Sequence, residues 1–132
     1  MTGLASPTLS KRERIVSRKL IELLFSKGSS RSTSAFPLRI VFMEKAREES
    51  GEPVQILVSV SKRHFKRAVK RNRVKRQIRE AYRHHKTILA GKVPEDKSIA
   101  IAFIWLADEL LDSRQVERSV KRLLEKVAES GR

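Results

Sequence analysis

Apolar and polar positions change their period several times along this chain of 132 residues, and each change marks an expected element. From Phe36 to Met43 the residues alternate, with Phe36, Leu38, Ile40 and Phe42 on one face and Pro37, Arg39 and Val41 on the other. That alternation predicts a strand, and Pro37 places it at an edge or makes Pro37 its start. Val54 to Ser61 alternates again, turning Val54, Ile56, Val58 and Val60 inward and Gln55, Leu57, Ser59 and Ser61 to the opposite face. The two serines make that second face wet. Ile99 to Leu106 is apolar throughout, the pattern of a central strand covered on both sides. Trp105 within it is read as core, and so are Phe36 and Phe42.

The helical period appears in three other places. Ser10 offers a cap and Glu13 follows it as in a capping box. Ile15, Leu20, Leu23, Leu24 and Phe25 then carry the apolar positions until Gly28 ends the run. From Lys70 onward a helix at about 100° per residue separates its chemistry. Asn72, Lys75, Arg76, Arg79, Arg83 and Lys86 fall on one side, and Val74, Ile78, Ala81 and Tyr82 on the other. Phe65, Ala68 and Val69 are out of phase with that apolar stripe, so Lys62 to Val69 reads as a loop or first turn. Near the end, Asp112 or Ser113 caps a helix whose buried stripe is Val116, Val120, Leu123, Leu124 and Val127. Residues 29–34 form a Ser/Thr loop around Arg31 with room for a short edge strand, and 44–53 and 91–97 read as connections. Residues 1–8 are expected to be a disordered tail and 9–130 a single domain. The order of elements is that of an α+β fold with a strand-helix-strand unit around the basic helix.

Charge narrows the function. Thirty Lys and Arg against fifteen Asp and Glu give a formal net charge of +15, which draws the chain to polyanions. Anionic membrane is the competing polyanion, but no apolar run is long enough to span a bilayer and no apolar signal region opens the chain. A soluble protein that is not exported is expected, and the absence of Cys suits a reducing cytoplasm. The positive charge concentrates between Ser59 and Arg83, where eleven Lys or Arg stand against a single Glu. His84 and His85 point about 100° apart on a helix, with no partner at ligand spacing, so no metal site is expected. Glu44, Glu48, Glu49 and Glu52 fall in a loop, while Asp108, Glu109 and Asp112 read as helix-entry groups. A two-metal nuclease needs carboxylates converging from rigid elements, and these do not promise that.

The sequence SVSK at 59–62, followed by Ala68-Val69, Arg71-Asn72-Arg73-Val74-Lys75-Arg76 and Ile78-Arg79-Glu80, resembles the signature of the bacterial ribonuclease P protein component. The setting also fits: a helix ending in Phe25 and Gly28, two strands, the basic block, an apolar strand and a final helix. The resemblance implies a small basic protein that binds one large catalytic RNA, in a holoenzyme that removes the 5′ leader from precursor tRNA. It implies that RNA performs the phosphodiester hydrolysis with Mg²⁺ that RNA holds, that no cofactor binds the protein alone, and that the protein raises affinity for precursor and metal ions. The implied fold is an α+β two-layer sandwich resembling a ribosomal protein domain. Its mixed central sheet contains a strand-helix-strand crossover that is left-handed, against the usual rule. A cytoplasmic protein that is monomeric by itself is expected.

Carried over position by position, the resemblance places Arg71, Asn72, Arg73, Lys75, Arg76 and Arg79 against the catalytic RNA. Arginine presents a planar fork to phosphate oxygens and to base edges, and a helix bearing several can follow the backbone of a folded RNA. Six such contacts would give a log–log salt slope of roughly −4 to −5. Asn72, uncharged, can fix a neighbouring loop or pair with a base edge. The leader is expected in a cleft walled by the first helix and floored by the sheet, with Phe25, Arg39, Leu57, Ser59, Ser61, Lys62 and Arg63 as its residues. An aromatic that stacks any base, beside cations that track the backbone, suits a single strand of any sequence. Phe25 is equally compatible with a core position at a helix end, and Ser59 and Ser61 with strand positions that simply face water. The chain departs from the family at several points. Ile21 stands where a second aromatic is common, Arg39 where an aromatic is common and Leu57 where Gly is common. The usual Lys-Ile-Gly-Asn-Ala run is replaced by the longer Arg63-His64-Phe65-Lys66-Arg67-Ala68.

Three other readings compete. A structural ribosomal or ribosome-assembly protein would share this size and charge, and an open groove at Ser59 and Ser61 separates the two. A helix-based DNA binder needs a pair of short helices or a dimer seam, and neither pattern is evident. An autonomous protein nuclease would keep its activity without RNA.

Overall fold

A computed structural model describes residues 11–26, 28, 30–49 and 51–130. A short 3₁₀ turn, Lys11–Glu13, leads through an extended segment to α1 (Arg18–Phe25), then β1 (Arg31–Ala35), β2 (Leu38–Ala46) and β3 (Val54–Ser59). The long basic helix α2 (Ala68–His85) follows, then the single turn α3 (Thr87–Ala90), β4 (Lys97–Trp105) and α4 (Ser113–Ser130). The sheet order is β1-β2-β4-β3, with β1 and β4 antiparallel to β2, and β3 parallel to β4. The fold is therefore α+β with a mixed sheet, and β3, α2 and β4 form the expected strand-helix-strand unit.

Alternation decides what each face of the sheet meets. Leu38, Ile40 and Phe42 of β2, Val54, Ile56 and Val58 of β3, and Ile99, Ile101 and Phe103 of β4 turn to one face and form the main core. Val74, Ile78, Ala81 and Tyr82 of α2 close it, with Val116, Val120, Leu123, Leu124 and Val127 of α4, the two predicted stripes. Trp105 is buried there as expected. The opposite face is covered only in part. There Leu24 of α1 and Ile15 pack on Ala100 and Ala102 of β4, with Leu20, Ile21, Met43 and Leu57 around them. Both faces of β4 are thus sealed, which accounts for its unbroken apolar sequence.

Several expectations need correction. The first helix is not continuous from Ser10, which lies outside the described residues along with the expected tail at 1–8. It starts instead at Arg18, capped by the Ser17 side chain, which accepts from the Leu20 amide at 3.2 Å. Before it, Arg14 makes a parallel bridge to Ile56 and the Ile15 amide donates to the Ile56 carbonyl at 2.9 Å, so this segment lies along the open edge of β3. Strand β2 continues through Glu44, Lys45 and Ala46, where the sequence pattern predicts a connection. The basic helix begins at Ala68, two residues before Lys70. Phe42 is core, but Phe36 is 65% exposed in the turn between β1 and β2, whose Phe36–Pro37 bond is cis. There the strand pairing has ended and alternation no longer dictates direction.

Asp112 does cap α4, accepting from the Gln115 amide at 2.9 Å. Asp108, read as a helix-entry group, instead meets His64 at 2.6 Å and joins the loop after β3 to the loop after β4. Among the described residues, no helix is long and apolar enough to cross a membrane.

Candidate nucleic-acid interface

Helix α2 has no acidic residue in its first turn, and Arg67 occupies its N-cap without a side-chain hydrogen bond. Lys66, Arg67, Lys70 and Arg71 crowd the positive end of the helix dipole, an arrangement that repels itself until an anion arrives. Along the helix, Asn72, Arg73 and Arg76 are exposed and Lys75 and Arg79 half-buried, and the four cations among them have no acidic partner among the described residues. Val69, out of phase with the buried stripe, is 79% exposed beside them.

Three cations of the predicted basic surface are used inside the protein. The Arg71 guanidinium turns back and donates from Nη1 to the carbonyls of Phe65 and Lys66, each at 2.8 Å, fixing the loop that enters the helix. Arg83 bonds Glu80 one turn earlier, which holds the Glu80 carboxyl below its ordinary pKa and lifts that of Arg83. Lys86 Nζ donates to Glu13 Oε2 at 2.9 Å. The surface left for a polyanion therefore centres on the stretch from Asn72 to Arg79.

His84 Nδ1 and His85 Nε2 both meet Oε1 of Glu117 on α4, at 2.9 and 3.3 Å. Glu80, one turn earlier on α2, also lies 3.4 Å from His84 Nε2, so the expectation of no carboxylate at helical spacing does not hold for His84. Glu117 is invisible to spacing because it comes from a different helix. Among the described residues, no group of three or more metal-type ligands assembles. The contacts pin the end of α2 to α4.

The second candidate surface lies on the other face of the sheet. A groove of about 420 Å³ opens between the end of α1 and the sheet, lined among others by Leu24, Phe25, Ser30, Arg39, Val41 and Ile104. Phe25 is 49% exposed there, so its ring is neither core nor wholly free. Register explains the floor. Ser34, Arg39, Ile104 and Ser59 pair in sequence across β1, β2, β4 and β3, placing one row on one face. The next row, Ser32, Val41, Ala102 and Leu57, runs beside it, and α1 covers its far end.

The predicted cleft residues thus fall into three groups. Phe25 and Arg39 line the groove together, and Ser59 is half-buried at the end of the Arg39 row. Leu57 packs with the cluster under α1. Ser61, Lys62 and Arg63 lie exposed beyond the end of β3, where Ser61 Oγ accepts from the Arg63 amide at 3.0 Å. Sequence reasoning missed Ile104, half-buried in the groove floor, because its strand reads as uniformly apolar.

Comparison with known proteins identifies the family and the fold. The family model described as Ribonuclease P matches residues 9–128. A ribonuclease P protein component from Porphyromonas gingivalis is 43% identical over 129 residues, covering 97% of this chain and 92% of the relative. One from Nostoc is 32% identical over 131 residues, covering 88% of this chain and 91% of the relative. Among solved structures, an RNase P protein from Staphylococcus aureus superposes with a TM-score of 0.67 at 23% identity, over 90% of each chain. The RNase P protein from Thermotoga maritima gives 0.66 at 22% identity, over 86% of this chain and 96% of that one. With the motif on α2, the shared fold and relatives matched over most of their length, this chain belongs to the ribonuclease P protein component family.

Proposed function

We propose that this protein is the protein subunit of a ribonuclease P holoenzyme, binding the catalytic RNA through α2 and the 5′ leader of precursor tRNA through the groove on the opposite sheet face. The observation that carries this reading is the separation of the two surfaces. Asn72, Arg73, Lys75, Arg76 and Arg79 project from a helix packed on one face of the sheet, while Phe25 and Arg39 line a groove on the other. A sheet between them lets two RNA segments bind at once without competing. The α2 surface suits folded RNA, because its guanidiniums sit on a rigid helix and can reach phosphates across a groove. The α1 groove suits a single strand, with one aromatic for stacking and Arg39 for the backbone.

In this reading the protein supplies no catalytic group. Hydrolysis of the phosphodiester, leaving a 5′-phosphate on the mature tRNA, falls to the RNA subunit and to Mg²⁺ that the RNA holds. The protein contributes affinity and positioning, acts in the cytoplasm and enters the holoenzyme as a monomer. The family match favours this reading over a ribosomal or ribosome-assembly role. The groove is lined by Phe25 and Arg39 and not by Ser59 or Ser61, so it does not itself separate the two.

The test is cleavage of a precursor tRNA at low Mg²⁺ by a bacterial ribonuclease P RNA, with and without the protein. Strong stimulation of a single cut at the mature 5′ end, requiring both components, is expected. Tight RNA binding with no stimulation would overturn the reading.

A further inference from the structure

The fold brings Arg79, the last arginine of the basic motif on α2, together with an arginine outside that motif, Arg14, sixty-five residues earlier in the chain. Three contacts dock the N-terminal turn beside the C-terminal half of α2. Glu13 is 7% exposed and accepts from Lys86 at 2.9 Å, Gln55 Nε2 donates to the Arg12 carbonyl at 3.0 Å, and Arg14 bridges Ile56 on the β3 edge. Lys86 follows Arg79 by seven residues, two helical turns, and so shares its face. Ile15 turns into the cluster beneath α1, and the extended backbone turns the neighbouring Arg14 away from that cluster. Arg14 is exposed, Arg79 half-buried, and neither has a carboxylate partner among the described residues. The nearest carboxylate along the chain, that of Glu13, is engaged by Lys86.

We propose that Arg14 and Arg79 together form a site for RNA phosphate backbone, assembled when the N-terminal turn docks on the edge of β3. This deepens, and rests on, the assignment of α2 to the catalytic RNA. Two like charges brought together by tertiary contacts, with no acid between them, destabilise the free protein and gain when an anion enters. The Arg79 pKa is lowered, first by burial and then by the Arg14 charge, as expected for a pair held together in that way. A phosphodiester suits the pair because its two non-bridging oxygens accept from separate guanidiniums, and the partly buried stem of Arg79 is already ordered before binding. The RNA-binding surface then continues past the end of the motif and around the β3 edge onto the N-terminal turn.

The experiment measures affinity for a bacterial ribonuclease P RNA over a series of KCl concentrations, using the full chain and its Arg14→Ala, Arg79→Ala and doubly substituted variants. Arg73→Ala serves as the motif reference, and Arg118→Ala, on the exposed side of α4, controls for bulk charge. Thermal unfolding is followed for each. Arg14→Ala is expected to weaken binding about tenfold, the order of one charge-assisted hydrogen bond, and to reduce the salt slope by about 0.7 to 0.9. Its melting temperature should be unchanged or higher, because a repulsion is removed. The double variant should lose less than the product of the single losses.

An Arg14→Ala affinity equal to the parent's, or a loss no larger than that of Arg118→Ala, would overturn the proposal while Arg73→Ala still upheld the α2 assignment. Weaker binding with a lowered melting temperature would assign Arg14 a structural part and also overturn it. Failure of the parent protein to bind the RNA would remove the α2 assignment and this site with it.

Discussion

Arg71 and Arg73 stand two residues apart in one motif, yet they occupy different environments. Arg71 spends its guanidinium on the carbonyls of Phe65 and Lys66, whereas Arg73 is exposed and has no acidic partner among the described residues. Arg73→Ala is therefore expected to weaken assembly with the catalytic RNA about tenfold, equally for substrates with and without a leader, as read from holoenzyme binding curves. Arg71→Ala should instead release the loop ahead of α2, seen as faster amide exchange over residues 64–68. Arg71→Lys should not restore protection, since a single ammonium cannot reproduce a planar fork. At Phe25 the expectation is a loss of about 1 to 3 kcal/mol on truncation to Ala, the worth of one stacked base. That loss should be confined to precursors with leaders of several nucleotides. Equal affinity for long and short leaders would return Phe25 to a packing role.

Elements show why some patterns were readable and others were not. The stripes of α2 and α4 could be read because a helix fixes the angle between successive side chains, and every residue assigned to them is buried. Leu123→Ala at the centre of α4 should cost about 2 to 5 kcal/mol in urea unfolding, by loss of transfer energy and opening of a cavity. The first helix could not be read in the same way. Ile15 keeps helical spacing with the later leucines, yet its burial comes from an extended segment lying along β3. Phe36 likewise continues the alternation of β2, but it lies in a turn before the first paired residue. Periodicity reports what a regular backbone would do, and it says nothing about where the regular backbone stops. Polar ties added by tertiary contact were equally hidden: Ser119 Oγ donates to the Ala35 carbonyl at 2.6 Å and Lys126 Nζ to that of Ser34 at 2.8 Å, clamping α4 to the β1 edge.

For the whole molecule, the net charge of +15 makes binding to any RNA salt-dependent, but the structure limits how many cations contribute specifically. Arg73, Lys75, Arg76 and Arg79 of the motif, together with Arg14, predict a log–log slope of roughly −3.5 to −4.5 for the catalytic RNA. That is shallower than the six-contact expectation, because Arg71 holds the loop and Asn72 carries no charge. A salt titration of the full chain measures it. Stability should also fall in alkali. Burial, reinforced by the charges of Glu13 and Glu52, raises the Tyr82 pKa above its ordinary value of 10.0. The folded state thus favours the protonated phenol. The stabilisation is complete below the unfolded-state pKa and is lost as pH climbs from there through the folded-state value. Melting temperatures recorded upward from pH 9 should decline, and Tyr82→Phe should flatten that decline.

The sequence by itself determined the class of fold, the core stripes, the polyanion partner and the family, since these rest on local period, net charge and an ordered motif. Tertiary structure decided which cations remain available. Arg71, Arg83 and Lys86 sit on the same basic helix as Arg73 and Arg76, but each meets a carbonyl or carboxylate positioned by the fold. It also decided that Phe25 and Arg39, fourteen residues apart, would share one groove, and that the turn carrying Arg14 would dock on the β3 edge and on Lys86, two helical turns beyond Arg79. The physical reason is common to all three. Helical and strand periods fix directions within one element, whereas the partner that neutralises or reinforces a charge arrives from another part of the chain.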